Sequence, residues 1–280
     1  NSDIRISNST INNNSTPSEG GGIYNDENSE LRLTNVNVDS NNASIGGGLF
    51  NRGFYNALES SFSSNNATSR GGGIYSSGGT NENMPDTLSQ CRIQNNSTAY
   101  RGAGIHHHDY QYMHVINTLI TNNLSTDEDN NGIIGSGIYS DININGNIYS
   151  DFINCTIANN RSNAGNGYGI GFAKGNGNYR ILNTIIWHNV GFNPNTLVIN
   201  ASGLSTSDVI SSNIGGTYYT LDTDPLFTDM YNGDYRLSDY SPSIGTGTLE
   251  GAPATDFDGN PRPLPDGTNP DMGAYENALG

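Results

Sequence analysis

The sequence predicts an all-β fold, a right-handed parallel β-helix of about seven to eight coils. Three observations carry this prediction. First, Gly20-Gly21-Gly22-Ile23-Tyr24 recurs as Gly46-Gly47-Gly48-Leu49-Phe50 and Gly71-Gly72-Gly73-Ile74-Tyr75. Looser copies follow at Gly102-Ala103-Gly104-Ile105-His106, Gly135-Ser136-Gly137-Ile138-Tyr139 and Gly167-Tyr168-Gly169-Ile170. Second, an apolar residue followed three positions later by Asn interleaves with that series: Ile11/Asn14, Val38/Asn41, Phe62/Asn65, Ile93/Asn96, Ile120/Asn123, Ile157/Asn160 and Ile186/Asn189. Third, the aliphatic anchors of the glycine series are spaced by 26, 25, 31, 33 and 32 residues. A β-propeller blade needs a longer period, about 40–50 residues.

Each element has a local cause. The β-prone pieces, such as IRIS at 4–7, LRLT at 31–34 and VINTLI at 115–120, are too short to bury a face alone. Stacked coil on coil at about 4.8 Å they form a common core, Ile upon Ile. Asn and Gly mark the corners because both tolerate left-handed backbone angles. Asn stacked on Asn at such a corner can hydrogen-bond along the stack. Three residues before each Ile-type anchor stands a second amide or near-equivalent: Asn8, Asn35, Glu59, Gln90, Asn117, Asn154 and Asn183. Between anchors the longest intervals place insertions at 76–87 and 106–114 on one corner, and around Asp127-Glu128-Asp129 on the other. Cys91 and Cys155 each lie two residues before an anchor, with the Ile120 coil between them. Two coil steps separate their Cα atoms by about 9–10 Å, beyond the roughly 7 Å limit of a disulfide, so two free, packed thiols are expected. The organisation that follows is residues 1–214 as repeats and 215–280 as an irregular cap over the open end of the same solenoid.

Composition narrows the function classes. The 280 residues carry a net charge of −16, with ten arginines and a single lysine. No basic run exists for a phosphate backbone, so nucleic acid is not an expected partner. No apolar stretch reaches the length of a membrane span. The chain opens Asn1-Ser2-Asp3, with neither an initiator Met nor a signal sequence, which reads as a processed product or a part of a larger chain. An extracellular or cell-surface location is expected.

The alternation seen in Gly71-Gly72-Gly73-Ile74 and Phe62-Ser63-Ser64-Asn65 resembles the repeats of polymorphic outer-membrane proteins, the β-helical passenger regions of bacterial surface adhesins. The likeness covers roughly residues 4–190 and reports architecture more than activity. The stretches at 224–247, 256–263 and 271–276 resemble the choice-of-anchor Q type of β-helix terminus of secreted or surface-attached proteins. That family carries an acidic or amide residue after SP-x-I, whereas Gly245 stands here, so no role is carried over to that position.

Candidate functional residues follow from the repeat register. The glycine stretches are not phosphate loops, because none is followed by Lys and a helical pattern. With the Ile anchors inward, strand alternation turns Tyr24, Phe50, Tyr75, His106 and Tyr139 outward in one line. Such a line is either a glycan-binding platform or a ladder that only stabilises the sheet. His106-His107-His108, with Asp109 and His114 near, is expected in a solvent-facing turn, where at most two imidazoles could converge on a metal. Asp256, Asp258 and Asn260 resemble the start of a calcium loop without its distal Glu, and Asp127 and Asp129 form a second candidate Ca²⁺ site. An Asx-rich turn is the competing reading at 256–260. No paired carboxylates of the kind a glycoside hydrolase needs fall on the strands.

The expected function is therefore a non-catalytic adhesin or stalk domain, bearing on polysaccharide or on cell-surface glycans or proteins, with no cofactor required and structural Ca²⁺ as an option. The alternatives are a polysaccharide lyase or glycoside hydrolase, since β-helices host both, and a purely structural spacer.

Overall fold

A computed structural model describes residues 2–78, 84–109, 112–126, 134–142, 149–163, 167–172, 178–190, 199–201, 209–215 and 221–280. The chain is a parallel β-helix of about six turns. This is slightly fewer than the expected seven to eight coils. One face stacks Ile23–Asn25, Leu49–Asn51, Ile74–Ser76, Ile105–Asp109, Ile134–Ile142, Gly167–Phe172 and Ile199–Ala201. A second stacks Ser61–Ser63, Arg92–Gln94, Leu119–Thr121, Thr156–Ala158 and Ile185–Trp187, and a third stacks Phe54–Leu58, Asp86–Ser89, Met113–Ile116, Tyr149–Ile153 and Asn178–Leu182. Like pairs with like: Ile23 with Leu49, Leu49 with Ile74, Ile74 with Ile105 and Ile105 with Ile138. All five belong to one interior cluster with Val38, Phe62, Ile93, Ile120, Ile157 and Ile186. Among the described residues no helix is long and apolar enough to cross a membrane.

Corner chemistry is as the residue types require. The amide series Asn8, Asn35, Glu59, Gln90, Asn117, Asn154 and Asn183 adopts positive φ throughout, between 45° and 52°. So does the residue before each inner Asn, from Asn13 to His188. Side-chain oxygens that bond locally make this region accessible to non-glycine residues. The inner asparagines form a buried ladder. Asn123 is typical: its Nδ2 donates to Asn160 Oδ1 at 2.8 Å and to Ile93 O at 2.9 Å, and its backbone N–H donates to Asn160 Oδ1 at 3.0 Å. Its own Oδ1 accepts from the backbone N–H and Nδ2 of Asn96. The third glycine of each stretch packs on this ladder. A Cβ on Gly104 would lie 2.4 Å from Gly137 O and 3.0 Å from Asn123 Nδ2. The two sequence series are thus two sides of one contact.

Both cysteines are free and buried. Thr118 occupies the intervening coil, its Oγ1 accepting from the Cys91 N–H. Burial pushes each thiol up to about 12. A thiol reagent at pH 8 is therefore expected to label neither in the native protein and both after denaturation, read by mass spectrometry.

The C-terminal segment is irregular, as expected. It joins the last coil, where Leu221 bridges to Asn213, and also folds back as a strap along the second face. Outer corner amides hold it: Gln90 Nε2 donates to Asp256 O, Asn117 Nδ2 to Thr255 O, and Asn183 Nδ2 to Thr248 O. Tyr235, Phe257, Ala274 and Tyr275 pack on Leu119 and Ala158, and Leu237 and Met272 pack on Ile185 beside Trp187. The reason is visible in the outward residues of this face. They are polar in the early coils (Asn37, Asp39, Ser61, Ser63) and apolar in the later ones (Leu119, Ala158, Ile185, Trp187), so the later flank needs cover.

Candidate functional site

The five expected outward rings do stack, with centroids 5.2 Å apart for Tyr24–Phe50 and Phe50–Tyr75, 5.1 Å for Tyr75–His106 and 5.0 Å for His106–Tyr139. They are not a presented platform. Phe50, Tyr75, His106 and Tyr139 are buried, and only Tyr24, at the N-terminal end of the stack, is exposed, at 45%. The corner geometry explains this. Gly20, Gly46, Gly71 and Gly102 all have positive φ, and a Cβ on Gly71 would meet the Tyr75 side chain at 2.7 Å. The turn folds each ring against its own corner.

The histidine run is likewise not a solvent-facing turn. It continues the strand Ile105–Asp109, which pairs His106 with Tyr139, His107 with Ser140 and His108 with Asp141. Alternation sends His107 inward, where its Nδ1 lies 3.2 Å from Ser140 Oγ. Burial, with the charge of His108 behind it, lowers its pKa to about 3. His107 belongs to an interior polar file, Asn25–Asn51–Ser76–His107–Ser140, one residue per coil. Asp86 joins the file: Ser76 Oγ donates to its Oδ2 and the Tyr55 N–H to its Oδ1. Burial raises the Asp86 pKa well above the carboxylate range, against the pull of these donors.

The sign of the Asp86 effect follows. A raised folded pKa gives a contribution fully present below the unfolded value of about 3.9 and lost as pH rises through the folded value. In Asp86→Asn the amide can donate to Ser76 Oγ with no charge to bury. Its melting temperature relative to the natural protein should therefore climb steadily from about pH 4 to about pH 8. A constant difference across that range would show that Asp86 does not titrate in this way.

On the outer side, His106 and His108 flank Asp141. His108 Nε2 lies 3.6 Å from Asp141 Oδ2, and His106 Nε2 lies 4.0 Å from Oδ1. Two arginines adjoin them. Arg70 and Arg101 bridge in consecutive coils, each just before a positive-φ glycine. Both guanidinium groups face the Tyr100 ring, at 5.7 and 4.5 Å from its centroid. Arg101 also lies 4.8 Å over the Tyr139 ring and donates to its hydroxyl at 2.6 Å. Burial first, then the charge of Arg70, holds His106 well below the usual imidazole range, so the ring is neutral. Among the described residues, no group of three or more His, Cys, Asp or Glu is arranged to hold a metal ion.

Asp256 accepts from the N–H groups of Asp258, Asn260 and Glu276 and from Asn260 Nδ2. Asp258 pairs with Arg236 at 2.9 Å. These contacts make an Asx-rich turn that braces the strap. Asp127 and Asp129 lie outside the described residues. Arg70, Arg101 and Tyr100 were not singled out by sequence reasoning, although the signal was present: Arg stands four residues before the aliphatic anchor in both SRGGGI and YRGAGI.

No family model, no curated protein and no solved structure matches the chain.

Proposed function

We propose that this chain is a non-catalytic adhesin or stalk domain of a secreted or surface-attached bacterial protein, with repeats like those of polymorphic outer-membrane proteins and a terminus of the choice-of-anchor Q type. Its partners are polysaccharides or cell-surface glycans. The observation that carries this reading is the division of labour among the side chains. Amides and buried carboxylates are committed to ladders and turns that stiffen the rod, while half-buried Arg70, Tyr100 and Arg101 gather at one corner. No cofactor is required on this reading, and structural Ca²⁺ at Asp127 and Asp129 is part of the proposal.

A lyase is the second reading, favoured by His108 with Asp141 beside the arginines: a base next to cations is what uronate elimination uses. A glycan array run alongside a lyase and hydrolase panel separates the two. Retention of glycans without turnover supports the adhesin; turnover overturns it. Neither binding nor turnover would leave a spacer.

A further inference from the structure

We propose that the corner of Arg70, Tyr100 and Arg101 binds anionic sugar chains through their carboxylate or sulfate groups. The inference rests on the glycan-binding reading above and deepens it. Its basis is the use of arginine in this molecule. Arg5, Arg32, Arg52, Arg180, Arg236 and Arg262 each pair with a carboxylate. Arg70 has no ion pair among the described residues and lies instead against the Tyr100 ring. Its bridge partner Arg101 sits one coil away, so the two backbones are about 4.8 Å apart along the solenoid axis. Arg101 already donates to the Tyr139 hydroxyl, so it adds positive charge beside Arg70, whose guanidinium fork offers the bidentate contact to an acidic group on a linear chain.

Tyr100 contributes what an acidic polymer of sugar rings needs besides charge. Its half-buried ring offers an apolar face between the two cations. Beside it, buried His106 stacks between the Tyr75 and Tyr139 rings and backs the corner. A metal cation is disfavoured by the adjoining guanidinium groups. The chain's charge of −16 does not prevent local recognition, because charges beyond about 8 Å are largely screened at physiological salt.

The test is calorimetric titration of the natural protein and of Arg70→Gln with three probes: oligogalacturonate, a heparin-derived oligosaccharide and a cello-oligosaccharide. The expected result is binding of one or both anionic probes, weakened about tenfold in Arg70→Gln, since one charge-assisted contact is lost. Binding of the uronate alone or of the sulfated probe alone supports the proposal and identifies the acidic group. Binding confined to the neutral probe, or anionic binding unchanged in Arg70→Gln, overturns the corner site while leaving the glycan-binding reading intact. Absence of binding to all three, together with a blank glycan array, overturns both. Should Arg70→Gln fold poorly, salt decides in the natural protein. Affinity for the anionic probe should fall severalfold from about 50 to about 500 mM NaCl, and salt-independent affinity overturns the proposal.

Discussion

Asn123→Ala is expected to lose about 3–6 kcal/mol of unfolding free energy in urea titration, because several buried groups are left unpaired at once. Asn123 is fully buried. Removing its amide strips the acceptor from the Asn96 N–H and Asn96 Nδ2 and the donor from Ile93 O. Each orphaned buried group costs about 1–3 kcal/mol. Gly104 packs directly onto this amide. The same change at Asn14, an exposed end rung whose Nδ2 donates only to Asn41 Oδ1, should cost under about 1 kcal/mol. Equal losses at the two positions would mean that the ladder is not a cooperative support of the coils.

Arg262→Met is expected to release the strap. Arg262 and Glu276 form an ion pair at 3.2 Å with both side chains inaccessible to solvent. The guanidinium also donates to the carbonyls of Gly273 and Ala274, and Glu276 accepts from the N–H groups of Leu264 and Asp271. Burial raises the Glu276 pKa to about 7, with Arg262 opposing, and lowers that of Arg262. Removing one partner of such a pair costs about 3–5 kcal/mol, because the other charge stays buried. Glu276 has a raised folded pKa, so its contribution is present below the unfolded value of about 4.3 and lost as pH rises through about 7. Without Arg262 the buried carboxylate is harder still to ionise, and the deficit should be larger at pH 8 than at pH 5. Trp187, the only tryptophan, packs beside Leu237, Met272 and Phe227. Its emission should shift to the red in Arg262→Met at temperatures where the coils still give native circular dichroism. An unshifted emission would show that the strap does not depend on the pair.

How much of this was legible depended on periodicity. The Ile anchors, the inner asparagines and the positive-φ corners all recur once per coil, so one sequence contains several independent copies of the same evidence, and the two cysteines could be placed in that register. Asp86 sits in an interval between anchors, where no register predicts which way a side chain points, and its burial was not foreseen. His107 follows from alternation only once the strand is known to continue past Ile105. The aromatic line was read correctly as a stack, but its burial depends on how the glycine corner folds the ring back. The course of the strap along the second face is not legible in the sequence, because an irregular segment has no period. The apolar outward residues Leu119, Ala158, Ile185 and Trp187 were the sign that something covers that flank.

Incubating the protein with the anionic oligosaccharide it retains, and then weighing that oligosaccharide by mass spectrometry, tests the central claim most directly. A non-catalytic glycan-binding rod returns it at its original mass. Shorter chains carrying either an added water or a new double bond would contradict the account and make this corner the active site of a hydrolase or a lyase.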